Sequence, residues 1–441
     1  MRMEDYFLLG LSKYKSNKVR QEKFKENAIK KKSLCVFCKG GKMLCGKTRC
    51  PIIVKSQSMI KHSKMNNSLQ IQGSSPPAVF VGRIGYPKVH IGPMVPSYFG
   101  NTEILDTPEL WIGKSIDDII DYRQSLVRGK TIADINEASK GGKIVETLQE
   151  LAMANSSIDS EAQFYKKPQG RLIFSNHSQP FGPSAPLKNF EISRVKVDRS
   201  IEKAFYDRDL KASDAILDLY LNDTLITRIQ RSFSIGMFGQ GTKRKLVPTR
   251  WSITAVDSTI SLSLIDKIKE NETIDEYYVY IFNNMGNIFV AILMPEKWSF
   301  EWIEAWFPNT LWNINGQNPV LIGDYEDYNG RNSYARVGGC YYSARLAVAE
   351  KLLQTRRQAS VLVFREILPE YILPVGVWNV RESMRKALET KPYPFSTLQE
   401  SLNFAKSHLN IPMDNWIENS EMLKEVMFQR KITDFCIRSL R

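Results

Sequence analysis

A chain of 441 residues, 43% hydrophobic and 24% charged, is long enough for a large core, which excludes disorder along most of its length. Its six cysteines are too few for a disulfide scaffold, and four of them fall between residues 35 and 50, a pattern of metal binding in a reducing compartment. The net charge of +14 is concentrated: residues 1–65 hold 17 Lys or Arg against Glu4, Asp5, Glu22 and Glu26, so the remainder is close to neutral. Such a segment is an electrostatic footprint for a polyanion, the alternative being a solvated lysine-rich tail.

Residues 12–32 are Lys-rich and helix-permissive, and they lead into Cys35-x2-Cys38, then Cys45-x4-Cys50. A Cys-x2-Cys pair turns both sulfurs towards one point, and Gly40, Gly41 and Gly46 supply the backbone freedom of a tight metal loop. Four thiolates make a closed tetrahedral zinc site, structural rather than catalytic. The x4 spacing departs from the commonest zinc ribbon, so an iron–sulfur cluster or unliganded redox thiols remain as alternatives. His62 reads as a linker histidine, and the isolated Cys340 and Cys436 as small buried residues. This gives a basic zinc module over 1–55 and a polar linker over 56–77, closed by Ser74-Ser75-Pro76-Pro77.

The body, 78–420, opens with a hairpin predicted from Ala78–Arg83 and Lys88–Pro93 around Gly85-Tyr86-Pro87. Ser115 with Asp118 predicts a capping box opening a helix to about Arg128, and a second helix is expected over Lys143–Ala154. Strands are expected at Arg171–Ser175 and Phe190–Val197, and one long helix at Ala212–Gln230. Tyr277–Pro295 carries no charge, but Asn283-Asn284-Met285-Gly286-Asn287 at its centre is turn chemistry. A hairpin fits this stretch better than a spanning helix, which would bury three amides, so no membrane association is expected. No secretory signal is visible. Then come a helix near Tyr342–Gln354, a strand at Ser360–Phe364, and helices near 379–389 and 395–408. Strands and helices do not alternate strictly, so the fold class is α+β: a small four-cysteine zinc module, one large mixed body, C-terminal helices and a tail over 421–441.

No nucleotide-binding loop, zinc-protease helix, dinucleotide fingerprint or serine elbow is present. Two stretches gather polar groups. Gly239–Lys245, with Lys243, Arg244 and Lys245 and then Arg250, combines glycines, hydroxyls and cations in a way that suits a phosphate backbone, and Arg83 is a third such candidate. Asp324, in Gly323–Asp327, and Asp257 are the carboxylates that could hold Mg²⁺ or Mn²⁺ for phosphodiester chemistry, against the plainer reading of a solvated acidic loop.

The blocks Ser75-Pro76-Pro77-Ala78-Val79-Phe80-Val81-Gly82-Arg83 to Gly92-Pro93, Val247–Asp257, Arg356-Arg357-Gln358-Ala359 and Pro374–Trp378 resemble the Nre family of archaeal DNA repair proteins. The resemblance implies DNA damage repair, an N-terminal cysteine-type zinc finger and a C-terminal motif for the sliding clamp, PCNA. Sliding-clamp peptides carry Gln-x-x-aliphatic-x-x-aromatic-aromatic, and here Gln429, Ile432 and Phe435 supply three of the four anchors, with Cys436 in place of the second aromatic. The competing reading is the last turn of a C-terminal helix packing Ile432 and Phe435 on the body. The expected function is thus a DNA-binding repair protein recruited by the clamp, in the cytoplasm and associated with the nucleoid. Either it modifies or cleaves DNA, or it is a non-catalytic adaptor between DNA and clamp; an RNA-associated zinc-ribbon protein is the remaining alternative. Composition and spacing without the resemblance lead only as far as nucleic-acid binding with zinc.

Overall fold

The computed structural model describes residues 37–170, 180–314 and 316–428. Two compact units divide them. One comprises Arg49–Leu264 and Leu373–Glu382; the other comprises Ile265–Ile372, the chain from Ser383 onward and the residues before Arg49.

In the first of these units six strands form one sheet: β1 (Gln70–Ser75), β2 (Val79–Val81), β3 (Lys88–Pro96), β4 (Leu126–Asp134), β5 (Ile158–Phe164) and β6 (Ser184–Ile192), in the order β1-β5-β6-β4-β3-β2. Only β4 and β6 run parallel. The predicted hairpin is β2 and β3, with Val79 opposite Pro93 and Val81 opposite Ile91. Alternation sorts β3 and β4 into two faces. Val89, Ile91, Val95, Val127 and Ala133 are buried on one, while Lys88, His90 and Ile132 are exposed on the other.

Ser115 and Asp118 form the expected capping box, with Ser115 Oγ accepting from Asp118 N at 3.1 Å. The helix stops at Ser125 rather than Arg128 because Leu126–Asp134 pairs with β3, and the ladder outweighs local helical preference. The long helix expected at Ala212–Gln230 is two, Ala212–Leu221 and Ile226–Ser234, broken where Asp223 takes a left-handed φ of 57°. The strand expected near Phe190 lies earlier, as β6, and Arg171–Ser175 falls outside the described residues.

The expected linker over 56–77 is ordered structure: a helix over Pro51–Asn66, then β1. Its polar composition misleads because the hydroxyls are satisfied inside the sheet. Ser75 Oγ meets Ser160 Oγ at 2.7 Å, and Ser74 Oγ donates to Asp159 at 2.6 Å.

The other unit holds a second six-stranded sheet: β7 (Tyr277–Asn284), β8 (Asn287–Met294), β9 (Ser299–Trp306), β10 (Val320–Glu326), β11 (Ser360–Ile367) and β12 (Tyr393–Phe395), in the order β10-β9-β11-β8-β7-β12. Again one pair, β9 and β11, is parallel. The uncharged stretch is the predicted hairpin, turning through Met285 and Gly286 at φ 50° and 72°, the left-handed pair that matches strand twist. A Cβ on Gly286 would lie 2.6 Å from Tyr371 N, so glycine is required there. Val290, Ile292, Leu362 and Phe364 form the centre of its core with Trp416. No helix among the described residues is long and apolar enough to cross a membrane. Mixed sheets with long antiparallel runs agree with the α+β class.

Candidate nucleic-acid interface

Three of the resembling sequence blocks meet in the unit built from Arg49–Leu264 and Leu373–Glu382. The backbone N–H of Val81, at the end of β2, donates to Thr249 Oγ1 at 2.9 Å, at the start of the helix Thr249–Ile268. Two residues into that helix, the ring of Trp251 lies 5.3 Å from the ring of Tyr86. Deeper in it, buried Asp257 accepts from Arg381 Nη1 and Gln230 Nε2, each at 2.9 Å, and Arg381 follows the Pro374–Trp378 block by three residues. The blocks are thus one packed junction read from three places in the chain.

A fourth stretch closes it. Ile135 N donates to Pro87 O at 3.1 Å, and Leu246 N donates to Ile135 O at 2.8 Å. These bonds bring the β2–β3 turn beside residues 243–250. Exposed cations lie on the stretches so joined: Arg83 and Lys88 from the turn, Lys140 near Asp134 as Lys88 is, then Lys243, Lys245 and Arg250. The Tyr86–Trp251 pair sits among them, and burial, with Asp134 nearby, raises the Tyr86 phenol above its ordinary value. Asp134 lies among them too; its carboxyl is held below the usual range by the backbone N–H and side chain of Asn136.

Arg128 shares a face of β4 with Lys130 and Ile132 but lies at its covered end, opposite buried Met94. Its guanidinium lies 3.8 Å above the Phe181 ring and 5.1 Å from the Phe80 ring. Nε has no hydrogen-bond partner among the described residues, and burial, with Arg123 adding repulsion, pushes the pKa down to about 10. The guanidinium is thus held between two rings, with no ion pair among the described residues. Lys88 and the Tyr86–Trp251 pair were missed in sequence. The signals available were Trp251 within a resembling block and the alternation of Lys88, His90 and Gly92 along β3.

The sequence candidates separate accordingly. Arg83, Lys243, Lys245 and Arg250 are exposed, on stretches that the Val81–Thr249 and Ile135 hydrogen bonds draw together. Arg244 does not: it is buried, and it donates to the carbonyls of Gly239, Phe205 and Asp207 at 2.7, 2.7 and 2.9 Å. It ties the loop down while its neighbours face solvent. Asp257 is committed to Arg381 and cannot take a divalent cation without leaving that guanidinium buried and unmatched. The supposed acidic loop at Asp324 is instead strand β10, paired with β9. Asp324 accepts from Arg331 Nη2 at 2.9 Å and Arg336 N at 2.5 Å, and Glu326 is buried against Arg345 at 2.7 Å. These carboxylates hold structure together.

For the cysteines, Cys35 lies outside the described residues, as do Gln429, Ile432, Phe435 and Cys436. No group of three or more metal-ligating side chains is gathered among the described residues. The backbone N–H of Leu44, then those of Gly40, Lys42 and Met43, lower the pKa of Cys38 and so favour its thiolate form. Left-handed φ angles at Lys39, Gly40, Met43 and Gly46 turn that loop around the sulfur. Cys340 is the opposite case, a thiol whose pKa is pushed up by burial and by Glu304.

Fold and surface together describe an α+β protein with a basic, aromatic-centred face. The chain belongs to the archaeal Nre family: residues 44–313 match the family's N-terminal region and residues 326–435 its C-terminal region. It is 44% identical over 402 residues, 91% of this chain and 99% of the relative, to the DNA repair protein NreB of Archaeoglobus fulgidus. To the DNA repair protein NreA of the same organism it is 36% identical, over 91% of this chain and 98% of that one. The NreA of Haloferax volcanii is 33% identical, over 83% and 89%. No solved structure matches. The N-terminal match begins at residue 44, so Cys35 and Cys38 precede it, and it runs beyond Leu264 into the second sheet.

Proposed function

We propose that this protein acts in DNA repair, holding DNA on the basic face around Tyr86 and Trp251 and reaching the sliding clamp through its C-terminal segment. The observation that carries the DNA contact is the junction Val81–Thr249 with Tyr86–Trp251, which draws together the stretches that carry Arg83, Lys243, Lys245 and Arg250. The relatives' names supply the repair context. Phosphate contacts release counterions, so log affinity falls with log salt at roughly −0.9 per phosphate neutralised on duplex. Substituting those four cations with alanine together is expected to reduce the slope by about three to four; an unchanged slope removes this face from the reading. Parallel titration with RNA of the same sequence tests the RNA alternative.

Clamp recruitment rests on Gln429, Ile432, Phe435 and Cys436. The helix Glu421–Phe428 that precedes them is anchored at its start: buried Glu301 accepts from Glu421 N at 2.8 Å and Met422 N at 3.1 Å. Calorimetric titration of the clamp with a peptide of residues 425–441 should show binding, and Phe435→Ala should weaken it by about 1.5–3 kcal/mol. Equal binding by both peptides overturns the contact.

Zinc, held by Cys35, Cys38, Cys45 and Cys50, would order the N-terminal segment, and the N–H groups around the Cys38 sulfur fit a thiolate ligand. Between enzyme and adaptor, the commitment of Asp257 to Arg381 and of Asp324 to Arg331 favours a non-catalytic adaptor. Turnover of damaged DNA that depends on Mg²⁺ or Mn²⁺ would reverse that choice.

A further inference from the structure

The turn between β2 and β3 carries a feature that phosphate binding does not use. Ile84 is 84% exposed, set between Arg83 and Gly85. The turn that presents it is braced on both sides: Gly82 N donates to His90 O at 2.7 Å, Lys88 N to Gly85 O at 3.0 Å, and Ile135 N to Pro87 O at 3.1 Å. Gly85 takes φ +88°, and a Cβ there would lie 2.7 Å from Lys88 O, so the tight turn depends on glycine. Behind it, Tyr86 rests on Trp251. The isoleucine therefore projects from a rigid support rather than from a loose loop. Its flanks are cations, with Arg83 and Lys88 in the turn and Lys245 and Arg250 on the adjoining stretch.

Resting on the DNA-binding reading above, we infer that Ile84 is a wedge that enters an unstacked base step, so that this surface selects duplex DNA with a local distortion over fully paired duplex. A rigid apolar side chain between phosphate-binding cations is the arrangement by which proteins open a base step and kink the helix. The unstacking energy is smallest where pairing is already broken, and selectivity for damaged or mismatched sites follows from that difference. The cations on either side match phosphates, which favours a nucleic acid over an apolar protein partner as the occupant of this tip.

The test uses the full chain and two fluorescent duplexes of one sequence, one fully paired and one with a two-base mismatch carrying 2-aminopurine beside it. The intact protein should prefer the mismatched duplex by about tenfold and raise 2-aminopurine fluorescence on binding. Ile84→Ala should bring the preference close to one and abolish the fluorescence rise, with the salt slope on paired duplex unchanged; Ile84→Phe should retain both. Arg83→Ala should weaken binding to both duplexes equally and lower the slope. If Ile84→Ala leaves the preference intact, or the intact protein has none, the wedge is overturned while the DNA surface stands. If the salt slope survives the four-cation substitution, the surface itself is overturned and the wedge with it.

Discussion

The two basic regions of this chain are built in opposite ways. Residues 1–65 owe their charge to neighbours in sequence, with runs such as Lys30-Lys31-Lys32. The face around Tyr86 and Trp251 takes its cations from at least three separate stretches, in a part of the chain that is nearly neutral overall. A dense run of charge attracts a polyanion whatever its backbone conformation, through long-range attraction that salt screens. An assembled face also dictates where each phosphate sits, because its cations are held by strands, turns and hydrogen bonds. The first arrangement suits capture, and the second suits positioning.

The largest expected effect separates them directly. Removing residues 1–36 deletes ten Lys or Arg with all four acids of the segment, while leaving the helix over Pro51–Asn66 and the ion pair between Arg49 and Asp117 in place. Filter-binding on paired duplex across a salt series should show the slope fall by more than the four-cation substitution achieves, up to roughly nine at 0.9 per contact. An equal or smaller loss would make the assembled face the principal contact.

A second prediction divides the face from its own support. Arg244→Ala leaves three backbone carbonyls without their guanidinium donor, and denaturant unfolding should show a loss of about 2–4 kcal/mol. Lys245→Ala, one residue away and exposed, should change stability by less than about 0.5 kcal/mol yet lower the salt slope. Matching behaviour of the two variants would dissolve the distinction between buried and exposed cations.

A third prediction concerns the cysteine loop within the first region. Purified protein should carry about one zinc per chain, and Cys38→Ser should release it and expose the N-terminal segment to protease, because metal binding of this kind contributes on the order of 10 kcal/mol to folding. Affinity for paired duplex should fall little at low salt, since the lysines remain. Metal content measured by mass spectrometry decides the first part, and iron in place of zinc would replace the site's assignment.

The smallest effect is electrostatic. Asp134 stays ionised at neutral pH, since the Asn136 N–H stabilises its charged form, and it opposes phosphates at the face. Asp134→Asn, which keeps an acceptor for that N–H, should raise duplex affinity about two- to threefold at low salt and not at all at high salt. A salt-independent gain would point to a change of shape instead.

Local chemistry was legible wherever neighbours in sequence settle the outcome. The Ser115 capping box, the Met285-Gly286 turn and the β2–β3 hairpin each depend on residues within a few positions of one another. Errors came where partners are distant. Ser74 and Ser75 look like linker until Asp159 and Ser160 are placed opposite them, and Asp324 looks like a surface carboxylate until Arg331 and strand β9 are. Arg244 and Lys245 are indistinguishable in sequence, and only burial against Phe205 and Asp207 tells structure from surface.

By itself the sequence determined the charge and its concentration before residue 65, the spacing of four cysteines, the turn and cap chemistry, and membership of a family through blocks of contiguous residues. Each of these is a property of neighbours along the chain, and none requires the chain to fold back on itself. Only the tertiary structure decided that Val81 meets Thr249, that Tyr86 rests on Trp251, and that Asp257 is spent on Arg381 rather than left for a metal. Those pairings join residues more than a hundred positions apart. They depend on which face of each strand and helix the core buries, and on hydrogen bonds that close only once the sheet has assembled around it.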